Sequence, residues 1–304
     1  MRLNMNHYKA FGLIISSEIA FNELITCDNQ SSDLLISEGE VPLELNHMNI
    51  NTPMFKVGEK QFWLVVDGIG KFYVENGSLI IVEAAPGVSL EDIKLYILGS
   101  CIGAILYQRK ILPLHGSAIN MKGYGLILTG DAGVGKSTIT SAICKRGYHM
   151  LTDDVAAIRI EEYSRAMIYP SYPYQKLWGD AIERLNINNE KKSLNRRDVN
   201  NQSKYSVAGD NQFDDNPIPV SVIVEIIPVE EEQLSWEKIN GVTKLEIVLK
   251  NTYRRIIAEG MGLNKWHFNQ CMQIAATTVI YRLNRPKNKY MEEEIANLIL
   301  GKMI

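Results

Sequence analysis

The chain has 304 residues, 46% apolar and 22% charged, enough to bury one large core or two smaller ones. A formal charge of -3 supplies no basic face for a phosphate backbone, so nucleic acid is excluded as an expected partner. The four cysteines, Cys27, Cys101, Cys144 and Cys271, stand far apart without a C-x-x-C pair, which reads as free buried thiols.

Polar residues run throughout residues 1–7, which lack the apolar stretch of a secretory signal, so a cytoplasmic protein is expected. From Tyr8 to Val82 short β-type runs at 11–15, 62–66, 72–75 and 79–82 alternate with Gly, Asn and Asp turns. These define a β-rich N-terminal domain, residues 1–88. Ser89 with Asp92 forms a capping-box start for a helix that reaches Arg109 and connects the domains over 89–112. Its apolar stretch, 95–107, is broken by Gly99, Ser100 and Gly103 and falls short of the roughly 20 residues a bilayer requires. It reads as a core helix, and no membrane association is expected.

The second domain, 113–304, opens with a hairpin: the run 115–120, a turn at Met121-Lys122-Gly123, and a strand at 124–129. Counting back from Asn120 opposite Tyr124 puts His115 opposite Thr129. Directly after that strand stands Gly130-Asp131-Ala132-Gly133-Val134-Gly135-Lys136-Ser137-Thr138, which fits G-x-x-x-x-G-K-[ST] at every fixed position. The glycines permit turns that let consecutive N–H groups converge on phosphate oxygens, and Lys136 supplies a charge to the β and γ phosphates. Ser137 offers a hydroxyl to Mg²⁺, and a helix over 137–146, stopped by Gly147, presents its positive end. A nucleoside triphosphate such as ATP, with Mg²⁺, is the ligand these residues imply.

A strand at 149–152 ends in Asp153-Asp154, and another comes next at 155–160. In open α/β sheets ligands lie beyond the carboxyl ends of parallel strands, which aims both carboxylates at the γ phosphate. Either can accept the proton of an incoming hydroxyl while the other serves Mg²⁺, with His115 orienting the base. The polar stretch 187–217, with Lys191, Lys192, Arg196, Arg197 and Lys204, offers little to bury and is expected to be a mobile loop. Residues 220–229 read as a strand containing Glu225, 264–282 as a long helix and 290–300 as a terminal one. Arg254 and Arg255 fit either an arginine finger or a solvated helix face. No histidine spacing matches a zinc site.

The set His115-Gly116-Ser117, the loop 130–137 and Leu151-Thr152-Asp153-Asp154-Val155 resembles the HPr kinase/phosphorylase family. Tyr172-Pro173-Tyr174-Gln175-Lys176-Leu177-Trp178 extends the similarity. The resemblance implies an α/β fold, a P-loop HPr kinase-like core with a mixed sheet flanked by helices, following the β-rich domain. It implies an ATP-dependent serine kinase in which His115 and Asp153 handle the proton, while Asp154, Ser137 and Glu225 form the Mg²⁺ side. A homo-oligomer is implied too. The glycine-rich signature associated with phosphorolysis and with the HPr carrier has no counterpart here. In layout the chain resembles instead the tailoring kinases of lasso peptide clusters, which phosphorylate a serine of a ribosomally made precursor peptide. A kinase of a free hydroxyl compound, an HPr-type serine kinase and a nucleotide-switched binding protein are the competing readings.

Overall fold

The computed structural model describes residues 5–28, 31–42, 47–187, 192–199, 202–209 and 212–303. The chain divides into two compact units, Met1–Pro113 with Tyr253–Asn269, and Leu114–Thr252 with Gln270–Ile304. The helix expected as a connector thus falls inside the first unit, which also takes in a later segment.

The first unit contains β1 (Asn6–Ala10), β2 (Leu13–Ser17), β3 (Ile25–Thr26), β4 (Leu34–Glu38), β5 (Met48–Asn51), β6 (Phe55–Gly58), β7 (Gln61–Val66), β8 (Gly70–Glu75) and β9 (Leu79–Ala84). They form one sheet in the order β3-β1-β2-β4-β9-β8-β7-β6-β5. Phe11, read as a strand residue, sits instead in the β1–β2 turn at φ 56, because Ala10 pairs with Leu13 and leaves Phe11-Gly12 to reverse the chain. Its ring is buried all the same, which is why the position is apolar. The expected cap is present: the Ser89 hydroxyl accepts from the Asp92 amide at 3.2 Å and donates to the Asp92 carboxylate at 2.6 Å. The helix it starts is not uniform. α1 (Leu90–Tyr96) passes through a single π-helical turn (Ile97–Cys101) into α2 (Ile102–Gln108), and Ile97 through Leu106 are buried throughout.

The second unit is a mixed α/β layer structure. Along the chain come β10 (Leu112–Asn120), β11 (Gly125–Thr129), α3 (Lys136–Cys144), β12 (His149–Thr152), β13 (Val155–Ile160), β14 (Ala166–Tyr169), β15 (Tyr174–Trp178) and α4 (Gly179–Arg184). Next are β16 (Lys192–Val199), β17 (Gln202–Ala208), β18 (Ile218–Val229), β19 (Ser235–Ile239) and α5 (Thr243–Lys250). α6 (Arg255–Gly260) belongs to the first unit and α7 (Asn264–Thr277) contributes to both, before β20 (Val279–Pro286) and α8 (Glu292–Met303). The main sheet runs β11-β10-β13-β14-β18-β20-β19, with β12 added on β10. A further pairing of β11 with β18, parallel and in register at Thr129 and Glu225, closes the first five of these strands into a ring.

Alternation decides which face each strand residue covers. Leu126, Leu128, Val224, Ile226 and Leu283 turn to one face, where Ile139 and Ile143 of α3 and Ile295 and Ile299 of α8 pack on them. Each such side chain contributes roughly 1.5–3 kcal/mol by leaving water. This layer holds α3, and the loop before it, against the sheet.

Two further sequence expectations are corrected. Within 187–217, the described residues form β16 and β17, which pair with each other and with β15 in a three-stranded sheet. Its polar side chains concealed strands that need backbone partners more than a core. Residues 188–191, 200–201 and 210–211, and the side chains of Lys191, Lys192, Arg196, Arg197 and Lys204, lie outside the described residues. The helix expected over 264–282 ends at Thr277, since the β-branched run Thr277-Thr278-Val279-Ile280 favours the strand that β18 and β19 both pair with. No helix among the described residues is long and apolar enough to cross a membrane.

The thiols make a simple test of this packing. All four are free, with Cys101, Cys144 and Cys271 buried and Cys27 partly exposed. Burial pushes the Cys144 thiol up to about 12, and it raises Cys101 further and Cys27 as well. A thiolate-specific reagent at pH 8 is therefore expected to label the native protein slowly, and at Cys27 alone, with all four reacting after denaturation. Rapid native labelling of Cys101 or Cys144 would contradict the packing described.

Candidate active site

The loop 130–135 leaves β11 and turns into α3. Gly130, Gly133 and Gly135 have φ of 134, 85 and 99, which residues with a Cβ rarely adopt. At Gly130 the constraint is also steric, because a Cβ there would lie 2.6 Å from the Ile226 carbonyl oxygen of β18. Val134 is buried and anchors the loop, while Asp131, Ala132 and Gly133 are exposed. Lys136 is buried, and its Nζ donates to the Gly130 and Asp131 carbonyls at 2.9 Å each. Ser137 and Thr138 are half-buried in the first turn of α3, whose amino end points at the loop. Such a cradle of amides, one ammonium and one hydroxyl is built to hold a polyphosphate.

The hairpin before the loop is one residue out of the expected register. Met121 N–H donates to the Tyr124 carbonyl at 2.8 Å, so the turn is the two-residue Lys122-Gly123, with φ of 55 and 97. Asn120 then faces Gly125 and Gly116 faces Thr129, leaving His115 one step further along, beside the loop's first glycine. The glycine of His115-Gly116-Ser117 has its own reason: a Cβ there would sit 2.6 Å from the Leu128 carbonyl oxygen. His115 is fixed through its backbone. Its N–H donates to the Asn251 carbonyl at 2.8 Å, and its own carbonyl accepts the Thr129 hydroxyl at 2.7 Å.

β12 lies beside β10 rather than beside β11, so β10 intervenes between the loop strand and the strand bearing the aspartates. Both β11 and β12 are antiparallel to β10, hence they run the same way and end at the same edge. Near that edge a bulge makes Leu151 an extra residue on β12, shifting the register between Ala118 and Ile119. The bulge re-aims the strand end that carries Asp153 and Asp154.

The adjacent aspartates are in contrasting surroundings. Asp153 is buried; its Oδ1 accepts the Ser117 hydroxyl at 2.6 Å, and its Oδ2 accepts the Lys176 backbone N–H at 2.9 Å. Asp154 stands at φ 75, and the Val155 N–H donates across it to the Asp153 carbonyl at 3.0 Å. That pairing is a γ-turn centred on a non-glycine residue, a strained conformation typical of functional positions. The turn delivers the Asp154 carboxylate to His115 and Lys176: Oδ1 is 3.6 Å from His115 Nε2 and Oδ2 is 3.2 Å from Lys176 Nζ. The Asp154 side chain keeps 30% exposure.

β15 ties this trio to the loop. Successive residues point to opposite faces, so Lys176 reaches the aspartates while Gln175 reaches α3. There Gln175 Oε1 accepts the Ser141 hydroxyl at 2.7 Å, and Nε2 donates to the Ser137 carbonyl at 3.4 Å.

Glu225 is placed differently from the expectation of a metal ligand. It is 1% exposed, and its Oε2 accepts from Arg282 Nε at 3.0 Å and Nη2 at 2.8 Å. Its Oε1 lies 3.8 Å from Lys250 Nζ. A carboxylate balanced by two cations is a poor Mg²⁺ ligand, because the added charge would meet both. Glu225, Glu246, Lys250 and Arg282 border a cavity of 450 Å³. Arg254 and Arg255 are engaged within the first unit. Arg255 pairs with Glu259 at 2.9 Å, and Arg254 donates to the Tyr253 hydroxyl at 3.2 Å, as a solvated helix face would.

Lys176, Ser117, Asn251 and Lys250 carry contacts to which sequence reasoning gave no role. Lys176 and Ser117 stood inside the quoted motifs, so the motif was the only signal; Asn251 and Lys250 had none.

Residues 109–177 match the HPr Serine kinase C-terminal domain. This part of the chain is HPr kinase-like. The HPr kinase-like segment holds His115, the loop, both aspartates and Lys176, while Glu225, Lys250 and Arg282 lie outside it. HPr kinase/phosphorylase of Clostridium botulinum (strain Eklund 17B / Type B) is 41% identical over 46 residues, 15% of each chain. That of Limosilactobacillus reuteri (strain DSM 20016) is 40% identical over 52 residues, 17% of this chain and 15% of the relative. The chain thus matches only about 15% of the length of these curated relatives. Among solved structures, the Hpr(Ser) kinase/phosphatase from Coxiella burnetii is 12% identical with a TM-score of 0.34, covering 63% of this chain and 90% of that one.

Proposed function

We propose that this protein is an ATP-dependent serine kinase whose acceptor is a hydroxyl of a ribosomally made precursor peptide. The observation that carries the reading is the strained γ-turn at Asp154, which sets a carboxylate against His115 and Lys176 beside a phosphate-cradling loop. The peptide acceptor rests on the layout of the chain and on the missing carrier-recognition signature.

In this reading Lys136 and the loop amides hold the triphosphate. The serine Oγ–P bond forms as the bond from phosphorus to the oxygen of the departing ADP breaks, and the hydroxyl proton passes to the Asp154 carboxylate. Asp154, rather than Asp153, takes the proton because Asp153 is buried in its hydrogen bonds to Ser117 and Lys176, while the Asp154 carboxylate keeps 30% exposure to an incoming hydroxyl. His115 and Lys176 orient the carboxylate. Mg²⁺ would be held by the Ser137 hydroxyl, since this ion commonly takes one or two protein oxygens with phosphates and waters. When bound it neutralises charge on the phosphates.

Incubation of the protein with ATP, Mg²⁺ and serine-containing precursor peptides, read by mass spectrometry, tests the reading. Addition of one phosphoryl group to a peptide serine is expected. Transfer to free serine alone would reassign the acceptor, and nucleotide binding without transfer to any hydroxyl would replace the kinase with a nucleotide-switched binder.

A further inference from the structure

Transfer of a phosphoryl group spreads negative charge over three equatorial oxygens, and P-loop sites often add a cation beyond the loop lysine to meet it. Here Arg254 and Arg255 are held by partners of their own in the first unit. We propose that Lys250 is that cation, a catalytic residue whose ammonium contacts the γ-phosphoryl oxygens; the proposal rests on the kinase reading.

Lys250 closes the last turn of α5, and its Nζ lies 3.9 Å from Asp131 Oδ1 in the phosphate loop and 3.8 Å from Glu225 Oε1. A charge-assisted hydrogen bond would bring these atoms to about 2.7–2.9 Å, so the ammonium is held in place by two carboxylates without being locked to either. Its side chain is 52% exposed and borders the 450 Å³ cavity, which gives it room to swing. Lys136 and Lys250 converge on one loop residue, the first bonding the Asp131 carbonyl and the second standing by its carboxylate. The helix carrying Lys250 is indexed to the catalytic strand, because the next residue, Asn251, accepts the His115 amide. Glu225 serves as a fixed counter-charge, since Arg282 pins its other oxygen.

During transfer Lys250 stays protonated and neutralises the oxygens of the moving group, while the serine proton goes to Asp154 and the electron pair of the broken bond leaves with ADP. Its contact is to the γ group, so it should distinguish a triphosphate from a diphosphate.

The test is titration calorimetry of the whole protein, wild type, Lys250→Met and Lys250→Arg, with Mg²⁺ and either ADP or a non-hydrolysable ATP analogue, alongside the transfer rate. Lys250→Met is expected to leave ADP affinity within about twofold, erase most of the preference for the analogue, and lower kcat about a hundredfold or more. Lys250→Arg should keep most of the preference. Equal loss for both nucleotides, an unchanged preference with near wild-type kcat, or loss of folding in the Met variant would each overturn the proposal. If the wild type binds neither nucleotide, the kinase reading itself fails.

Discussion

Asp154→Asn is expected to lower phosphoryl transfer by about three orders of magnitude, or about 4 kcal/mol of barrier, while nucleotide affinity changes less than about threefold. Asparagine matches aspartate in shape and tolerates positive φ better than most residues, so the turn at φ 75 should persist. What disappears is the charge facing Lys176 and His115, and with it the acceptor for the serine proton. Asp153→Asn is a different lesion. Its carboxylate accepts from the Ser117 hydroxyl and the Lys176 backbone N–H, and an amide can rotate to satisfy both, because the hydroxyl can reverse its role. That variant should retain substantially more activity than Asp154→Asn, with a stability loss of about 1–3 kcal/mol if the network is imperfectly remade. Initial rates with an acceptor peptide, and melting temperatures, separate the two. The reverse ranking would return the proton to Asp153.

Lys136→Met is expected to weaken ATP binding about a hundredfold, since one charged hydrogen-bonding partner of the phosphates is worth about 3 kcal/mol. The rate at saturating ATP should also fall, because the same ammonium faces charge that grows in the transition state. The folded loop would change as well. Lys136 Nζ bonds the Gly130 and Asp131 carbonyls, so a methionine leaves two loop oxygens without their shared donor. Calorimetry with ATP and ADP gives the affinities. Wild-type affinity in the methionine variant would mean that phosphates bind elsewhere.

The loop was legible in the sequence because its constraints are local: glycines at φ values they alone accept, a strand before and a helix after. The capping box at Ser89 was legible for the same reason. His115 and the aspartates were legible as candidates, but their division of labour was not. It depends on Ser117 and Lys176, neighbours only after β10, β12 and β15 have been brought together. The surroundings of Glu225 were not legible, because a carboxylate at a strand end looks the same in sequence whatever it meets, and its contacts with Arg282 and Lys250 exist only in the fold. The hairpin β16–β17 was hidden by polar composition, and β20 by following α7 without a glycine or proline to mark the change.

In the proposed reading, chain length at the β10–β11 reversal matters to the site as much as any side chain in it. Strand residues alternate faces, so one amino acid inserted at Lys122-Gly123 and absorbed by slippage of β10 would exchange the two sides of that strand along its whole length. The imidazole would then be carried round to the wrong side although every reactive residue was still encoded. Natural variation can recolour that distant bend freely, but can neither lengthen nor shorten it without disarming the chemistry.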